Sequence, residues 1–267
     1  MSPLLLRVAS AAVLGPLVLG AVWLGGVWLL ALVLLGAAVM AWEWAGLATG
    51  GRFGATGVLT IATALGATAL AGLGAGAGRA ALAAAAGAVV VLAAAARSRR
   101  AEPLRTAVGA LWLTLGSIAF LALGRLPVEG RPTLLWLLSV VWANDITAYA
   151  CGRAIGGPKL APGISPNKTW AGFFGGVLGA GLVGGLASRL SGQGSPFALV
   201  LTSLLLGVAA QLGDLAESAA KRHFGVKDSS RLIPGHGGLL DRVDGLLAAS
   251  VLAGAATLGT GRSPLLW

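Results

Sequence analysis

Nine apolar runs of about 20 residues follow one another from residue 4 to residue 260, with only short joints between them. They lie near 4–24, 27–48, 55–74, 80–96, 104–124, 133–152, 170–190, 196–220 and 239–260. As a helix, a run of that length spans the hydrocarbon of a bilayer. In lipid the backbone must satisfy its hydrogen bonds within a helix or a closed barrel. A barrel needs short alternating strands, which these unbroken runs do not supply. The expected fold class is therefore all-α: a polytopic transmembrane helical bundle of about nine spans with no soluble domain. Only 10% of the residues are charged and 57% are hydrophobic, at a mean hydropathy of +0.87. A soluble domain carries about 25% charged residues.

The first run has the look of a signal peptide, but further apolar runs follow directly, so a retained first helix is expected. The Ala-rich fourth run is the weakest of the set. Glycine is abundant, at 43 residues. The pairs Gly172/Gly176, Gly175/Gly179 and Gly181/Gly185 give the four-residue small spacing that lets membrane helices approach closely. The lone cysteine, Cys151, can form no intramolecular disulfide. Residues 1–132 are expected to form scaffold helices and a candidate dimerisation region, and 133–267 a catalytic region with cytoplasmic polar loops.

Net charge is +10, with a pI of about 11.4. No module mixing basic and aromatic residues for nucleic acid accompanies it, so the positive-inside rule is the better explanation. With the N-terminus cytoplasmic, 14 of the 19 lysines and arginines fall on inner segments. These include Arg7, Arg52, Arg97, Arg99, Arg100 and Arg105. The other five are Arg79, Arg125, Arg131, Arg189 and Arg262. This orientation puts both long polar segments, 153–169 and 221–238, on the cytoplasmic side of an inner membrane. Anionic headgroups and phosphates are the natural partners there.

The scarce polar types are not scattered. All four lysines, all five aspartates and both histidines lie in or beside those two segments. Charge beside a bilayer is costly unless it is paired, hydrated or used. Asp214, Glu217 and Lys221 are spaced to share one helix face, and Asp241 and Asp244 suit the positive end of the last helix. Carboxylates beside Lys and Arg suggest Mg²⁺ with a phosphate chain. Two histidines and one cysteine show no zinc-ligand spacing. There is no nucleophile elbow, and the Pro234–Gly238 stretch is neither a Walker A loop nor a dinucleotide fingerprint. Its glycines still allow backbone N–H groups to approach an anion, with His236 as a donor. Lys168 is a second phosphate-binding candidate, and Trp170 reads as an interfacial anchor.

One long pattern joins these residues. Ser218-x-x-Lys221-Arg222-x4-Lys227-Asp228-x-Ser230-x2-Ile233-Pro234-x-His236-Gly237-Gly238-Leu239-x-Asp241-Arg242-Val243-Asp244 resembles the signature of the CDP-diacylglycerol synthase (phosphatidate cytidylyltransferase) family. Asp145-x2-Ala148-Tyr149-x2-Gly152-Arg153, the 165–172 segment and Gln211-x-Gly213-Asp214-Leu215-x-Glu217-Ser218 agree with it. The resemblance covers about 135–250. It departs at Ala220, where the family has a larger apolar residue, and at Asn167, where it often has a second lysine. It implies a helical membrane enzyme, often a homodimer, with a cytoplasm-facing polar cavity. The implied reaction converts CTP and phosphatidate to CDP-diacylglycerol and pyrophosphate with Mg²⁺.

On that reading Asp214 and Asp228 lead as Mg²⁺ ligands, with Asp241 and Asp244 as further candidates. Lys168, Lys221, Arg222, Lys227 and Arg242 hold the triphosphate and the lipid headgroup, and His236 donates to a phosphate oxygen. Asp145 orients a cation or a lysine, and Asn167, Glu217, Ser218, Gly237 and Gly238 complete the substrate-binding set. A CTP-using lipid kinase and an archaeal-type CDP-lipid synthase share the substrate and the membrane. An ion-coupled transporter places charge near the midplane, usually with internal repeats, whereas here the charge sits at one edge. A CDP-alcohol phosphotransferase is excluded because Ala249 stands where its motif needs arginine, and no later aspartate follows.

Overall fold

The structure is a computed structural model that describes residues 3–98 and 101–267. Arg99 and Arg100, two of the cations counted above, lie outside the described residues, as does the side chain of Arg7. The helices are α1 (Pro3–Leu24), α2 (Gly26–Ala48), α3 (Ala55–Gly72), α4 (Ala77–Ala96), α5 (Pro103–Gly124), α6 (Gly130–Ile155), α7 (Trp170–Ser191), α8 (Pro196–His223) and α9 (Leu240–Thr260). Each coincides with one expected run. Among the described residues, eight are long and apolar enough to cross a membrane, and the described apolar part of α1 is the shorter Ala9–Leu24. The chain is a polytopic helical membrane protein.

Two helices outrun their apolar sequence. With 28 residues, α8 is about 42 Å long, against a hydrocarbon core of about 30 Å. Its last turns, rich in Lys and Arg, therefore extend past the apolar layer. Likewise α6 continues to Ile155. The 153–169 segment, expected as a loop, instead holds that helix end and a small antiparallel hairpin. This hairpin pairs β1 (Lys159–Ala161) with β2 (Ser165–Thr169), Lys159 opposite Thr169 and Ala161 opposite Ser165.

Helices α2 to α5 pack on one another, α6 to α9 pack in sequence, and α5 against α9 is the main seam between them. The fully buried large side chains are mostly leucines, among them Leu113, Leu121, Leu134, Leu137 and Leu206. Lipid competes for apolar surface as well as a protein core does, so close approach through small residues decides helix pairing. The α7 glycines do this toward α6. A Cβ on Gly172 would stand 2.9 Å from the Ala148 carbonyl oxygen, and one on Gly176 would stand 2.7 Å from both Asn144 Oδ1 and Gln211 Nε2. Toward α8, Gly184 lies against Ser203 in the same manner. On the other side of the bundle Gly109 of α5 leaves space for the Trp44 indole, whose Nε1 donates to the Thr106 carbonyl at 3.1 Å.

The C-terminal ends of α2, α6 and α8 and the N-terminal ends of α5, α7 and α9 gather at one end of the bundle. There Glu102, before α5, meets His223 Nε2 at 2.5 Å and also pairs with Arg105. The His223 hydrogen bond first, and Arg105 second, hold the Glu102 carboxyl below the usual carboxylate range. A depressed carboxyl stabilises the fold at pH values above its unfolded pKa and loses that contribution as pH falls through the lower folded value. Glu102→Gln should therefore lower the unfolding temperature at neutral pH and flatten its acid limb, the two proteins converging as pH falls through the Glu102 pKa. Gly176→Leu should destabilise the α6–α7 pairing by about 1–3 kcal/mol or more, read as a lower unfolding temperature in detergent.

Candidate active site

A cleft of about 740 Å³ opens at the polar end of the bundle. Its walls come from α6 (Asn144, Asp145, Tyr149, Arg153), β2 (Asn167, Lys168), α7 (Phe173), α8 (Gln211, Asp214, Lys221), the loop residue Asp228, and α9 (Asp241, Arg242, Asp244, Leu246). The hairpin lays Asn167 and Lys168 over the cleft. Thr169 then caps α7, its Oγ1 accepting from Gly172 N at 3.1 Å. This is the short-residue N-cap that frees a chain to leave a strand and enter a helix at once.

The centre of the site is a buried ion triad. Lys221 Nζ lies 2.5 Å from Glu217 Oε2 and 2.6 Å from Asp241 Oδ1. The Glu217 and Asp241 side chains are almost wholly buried, and that of Lys221 is 11% exposed. Asp241 also accepts from Ser229 N at 2.9 Å, Ser229 Oγ at 3.0 Å and Gly238 N at 2.8 Å. Its oxygens are thus committed to holding the 229–238 loop against α8. Gly238 has no room for a side chain, because a Cβ would overlap Ser229 Oγ and stand 2.6 Å from Glu43 Oε1. Gly237 sits at φ +85°, where an L side chain is strained.

Around the triad the acids outnumber their partners. Asp214 Oδ2 accepts from Lys168 Nζ at 2.5 Å, and its Oδ1 from Ser218 Oγ at 3.3 Å. Asp145, Asp214 and Asp244, from three different helices, are near enough to repel one another. Among the described residues, Asp145, Asp228 and Asp244 form no salt bridge. No three acids among the described residues converge tightly enough to cage a cation alone. That donor set fits Mg²⁺, which takes one or two protein carboxylates and completes its shell with water and substrate phosphates. Asp145, Asp214, Asp228, Asp241 and Asp244 all line the cleft, and all but Asp241 are carboxylates that would be available to it, since both Asp241 oxygens are taken by Lys221, Ser229 and Gly238 and those of Asp214 only by the cleft residue Lys168 and by Ser218.

Several expected site residues stand outside the cleft wall. Arg222 is exposed and donates to the carbonyls of Ile164 and Val226, tying the helix end to the hairpin turn. Lys227 is exposed beside the cleft. Ser218 and Glu217 act beneath it, through Asp214 and Lys221. His236 Nδ1 lies 2.6 Å from Ser10 Oγ of α1, and its carbonyl accepts from Arg242 Nε at 3.0 Å. Gly237 and Gly238 shape the loop.

The structure gives roles to residues for which the sequence assigned none, Gln211 among them although it stands in the Gln211–Ser218 stretch. Asn144 and Gln211 are buried under Asp145, with Gln211 Nε2 donating to Asn144 Oδ1 at 3.1 Å and to the Phe173 carbonyl at 2.9 Å. Ser229 fell on an unspecified position of the motif. Glu43 of α2 is only 2% exposed and bonds the signature loop from the other half of the chain. A lone acid in an apolar run was a readable signal for it.

These geometries separate structural from cleft charges. Lys221→Met strands two buried carboxylates and should cost about 3–5 kcal/mol. Asp145→Asn relieves a repulsion and should leave the unfolding temperature equal or higher. Thermal unfolding of both variants in the same detergent checks the pair.

The chain matches the family described as "Cytidylyltransferase family" over residues 5–257. Among curated proteins it is 57% identical over 127 residues to the "Phosphatidate cytidylyltransferase" of Brucella abortus biovar 1 (strain 9-941), which is 46% of each chain. It is 48% identical over 120 residues to the protein of that name from Staphylococcus epidermidis (strain ATCC 35984), which is 45% of this chain and 46% of the relative. With that of Bacillus subtilis (strain 168) it shares 40% identity over 141 residues, which is 52% of each. The chain thus spans about half the length of the curated relatives it matches. With a match that runs from α1 into α9 and takes in the whole cleft, the chain belongs to the cytidylyltransferase family.

Proposed function

We propose that the protein is a phosphatidate cytidylyltransferase: CTP and phosphatidate react to give CDP-diacylglycerol and pyrophosphate. The observation that carries this reading is the cleft itself. It sets surplus carboxylates of Asp145, Asp214, Asp228 and Asp244 against the cations of Lys168, Lys221 and Arg242, at the mouth of an apolar bundle. A triphosphate with a divalent cation needs both signs of charge in one place, and acyl chains need the bilayer beside it. The names of the curated relatives support the same substrates.

In this reading the phosphate oxygen of phosphatidate attacks the α-phosphorus of CTP in line. A new P–O bond forms there, and the bond from the α-phosphorus to the α–β bridging oxygen breaks, its electron pair leaving with pyrophosphate. The attacking phosphate is largely dianionic at neutral pH, so it needs little general-base help. The barrier is anion meeting anion, and positioning with charge neutralisation lowers it. Lys168 and Arg242 hold the phosphates from opposite walls. Lys221 presents one face of its ammonium to the cleft while Glu217 and Asp241 fix its place. One or two of the carboxylates of Asp145, Asp214, Asp228 and Asp244 would hold Mg²⁺, which would supply neutralising charge to the triphosphate. Asn167 and Tyr149 line the mouth on the hairpin side.

The proposal places the protein in the inner membrane with its N-terminus and cleft facing the cytoplasm, where CTP is found. Residues 133–267 supply most of the cleft and 1–132 support it, and the working form is a homodimer. Purified protein in detergent should release pyrophosphate only when CTP, phosphatidate and Mg²⁺ are all present. ATP in place of CTP, or diacylglycerol in place of phosphatidate, should give none; product from diacylglycerol would turn the reading to a lipid kinase. Asp228→Asn should lower kcat by about 10²–10³-fold in a folded protein, and near-wild-type turnover would remove Asp228 from the site.

A further inference from the structure

Glu43 is the one charge in α2, a helix that is otherwise apolar from Gly26 to Ala48. It is 2% exposed and lies under the start of α9. Its Oε1 accepts from Ser230 Oγ at 2.7 Å and from Leu239 N at 2.8 Å, and its Oε2 accepts from Leu240 N at 2.7 Å. The first N–H groups of a helix have no partner within it, and α9 has no side-chain cap of its own at Leu239. Glu43 therefore caps α9 from a different helix, a negative group at the positive end of the dipole.

What hangs on that cap is the cleft wall. Asp228 stands just before the Ser229–Ser230 pair, and Arg242 and Asp244 occupy the first turns of α9. Asp241, in the first turn of α9 itself and tied to α8 by Lys221, grips Ser229 and Gly238, while Glu43 grips Ser230, Leu239 and Leu240 from α2. A second cavity of about 380 Å³ lies on the α2 side of the loop, lined by Trp42, Glu43 itself, Phe53 and Phe224 and touching Asp228 to Ser230.

We infer that Glu43 is a positioning residue for the transfer reaction: it holds the first turn of α9 and the Asp228 loop in place, so that Asp228, Arg242 and Asp244 meet the substrate phosphates. This rests on the cytidylyltransferase reading for its catalytic consequence, while the hold itself is independent of it. The test uses Glu43→Gln in the full-length protein in detergent. The amide keeps one acceptor but turns an N–H₂ toward a backbone N–H. Hydrogen exchange of the 229–241 segment should speed up by about tenfold or more while exchange in α7 stays the same. With phosphatidate and Mg²⁺, kcat should fall about a hundredfold with KM for CTP within about threefold of wild type. If the glutamine variant does not yield monodisperse protein, Glu43→Asp, which keeps both acceptors on a shorter stem, is read in the same way. Unchanged exchange at 229–241, or unchanged kcat, overturns the inference. Exchange that rises equally through the whole bundle also overturns it, since Glu43 would then support the fold at large. A wild-type protein that does not turn over CTP and phosphatidate would sink the enzymatic reading and the catalytic half of this inference, with the exchange result standing separately.

Discussion

One buried ammonium joins the parts of this site. Lys221 sits between Glu217 and Asp241, and through Asp241 it reaches the backbone of Ser229 and Gly238. Stripping water from three charges is expensive, and their mutual attraction offsets the cost only in good geometry with further hydrogen bonds. Asp241 has those hydrogen bonds, so the loop between α8 and α9 is bound into the charge arrangement and has little freedom to rearrange without breaking it. The ends of α8 and α9, which carry Asp214, Arg242 and Asp244, are set relative to one another by the same contact.

The remaining wall is set by close packing. Helices in lipid gain little from burying leucine against leucine, so α6, α7 and α8 meet where glycine removes the side chain altogether. Gly172 and Gly176 bring α7 against α6, and the buried Asn144–Gln211 hydrogen bond runs beside Gly176. That polar link satisfies two amides that would be costly alone in an apolar interior. It also fixes the floor under Asp145. The hairpin then closes over the top, its Lys168 reaching Asp214 at 2.5 Å. A rigid apolar scaffold thus presents a polar surface that excludes neither water nor a phosphate chain.

Much of this is legible in the residues themselves. The nine runs marked the helices because their length and apolarity leave a membrane chain few alternatives. The concentration of lysine, aspartate and histidine marked the polar end. Three features were less legible. The hairpin at Lys159–Thr169 is too short to show an alternating pattern. Arg222 and Lys227 share a motif with cleft residues, yet both are exposed outside the cleft wall, Arg222 at the helix end where it binds backbone carbonyls and Lys227 in the loop beyond. Asp241 looks like any other aspartate of the cluster until its oxygens are seen to be occupied by Ser229, Gly238 and Lys221.

The sequence by itself determined the solvent, the fold class and the chemistry on offer: apolar length dictates membrane helices, and lysine, aspartate and histidine gathered in or beside two segments dictate a polar site with both signs. Only the tertiary structure decided which charges face the cleft and which hold it together. That division depends on contacts between residues far apart in the chain, such as Glu43 with Leu240 and Lys168 with Asp214. Helical periodicity governs neighbours three and four positions apart; it says nothing about which helix lies alongside. The glycine faces, the α5–α9 seam and the buried triad supply that information, and with it the difference between an acid that binds a substrate cation and one that pins a loop.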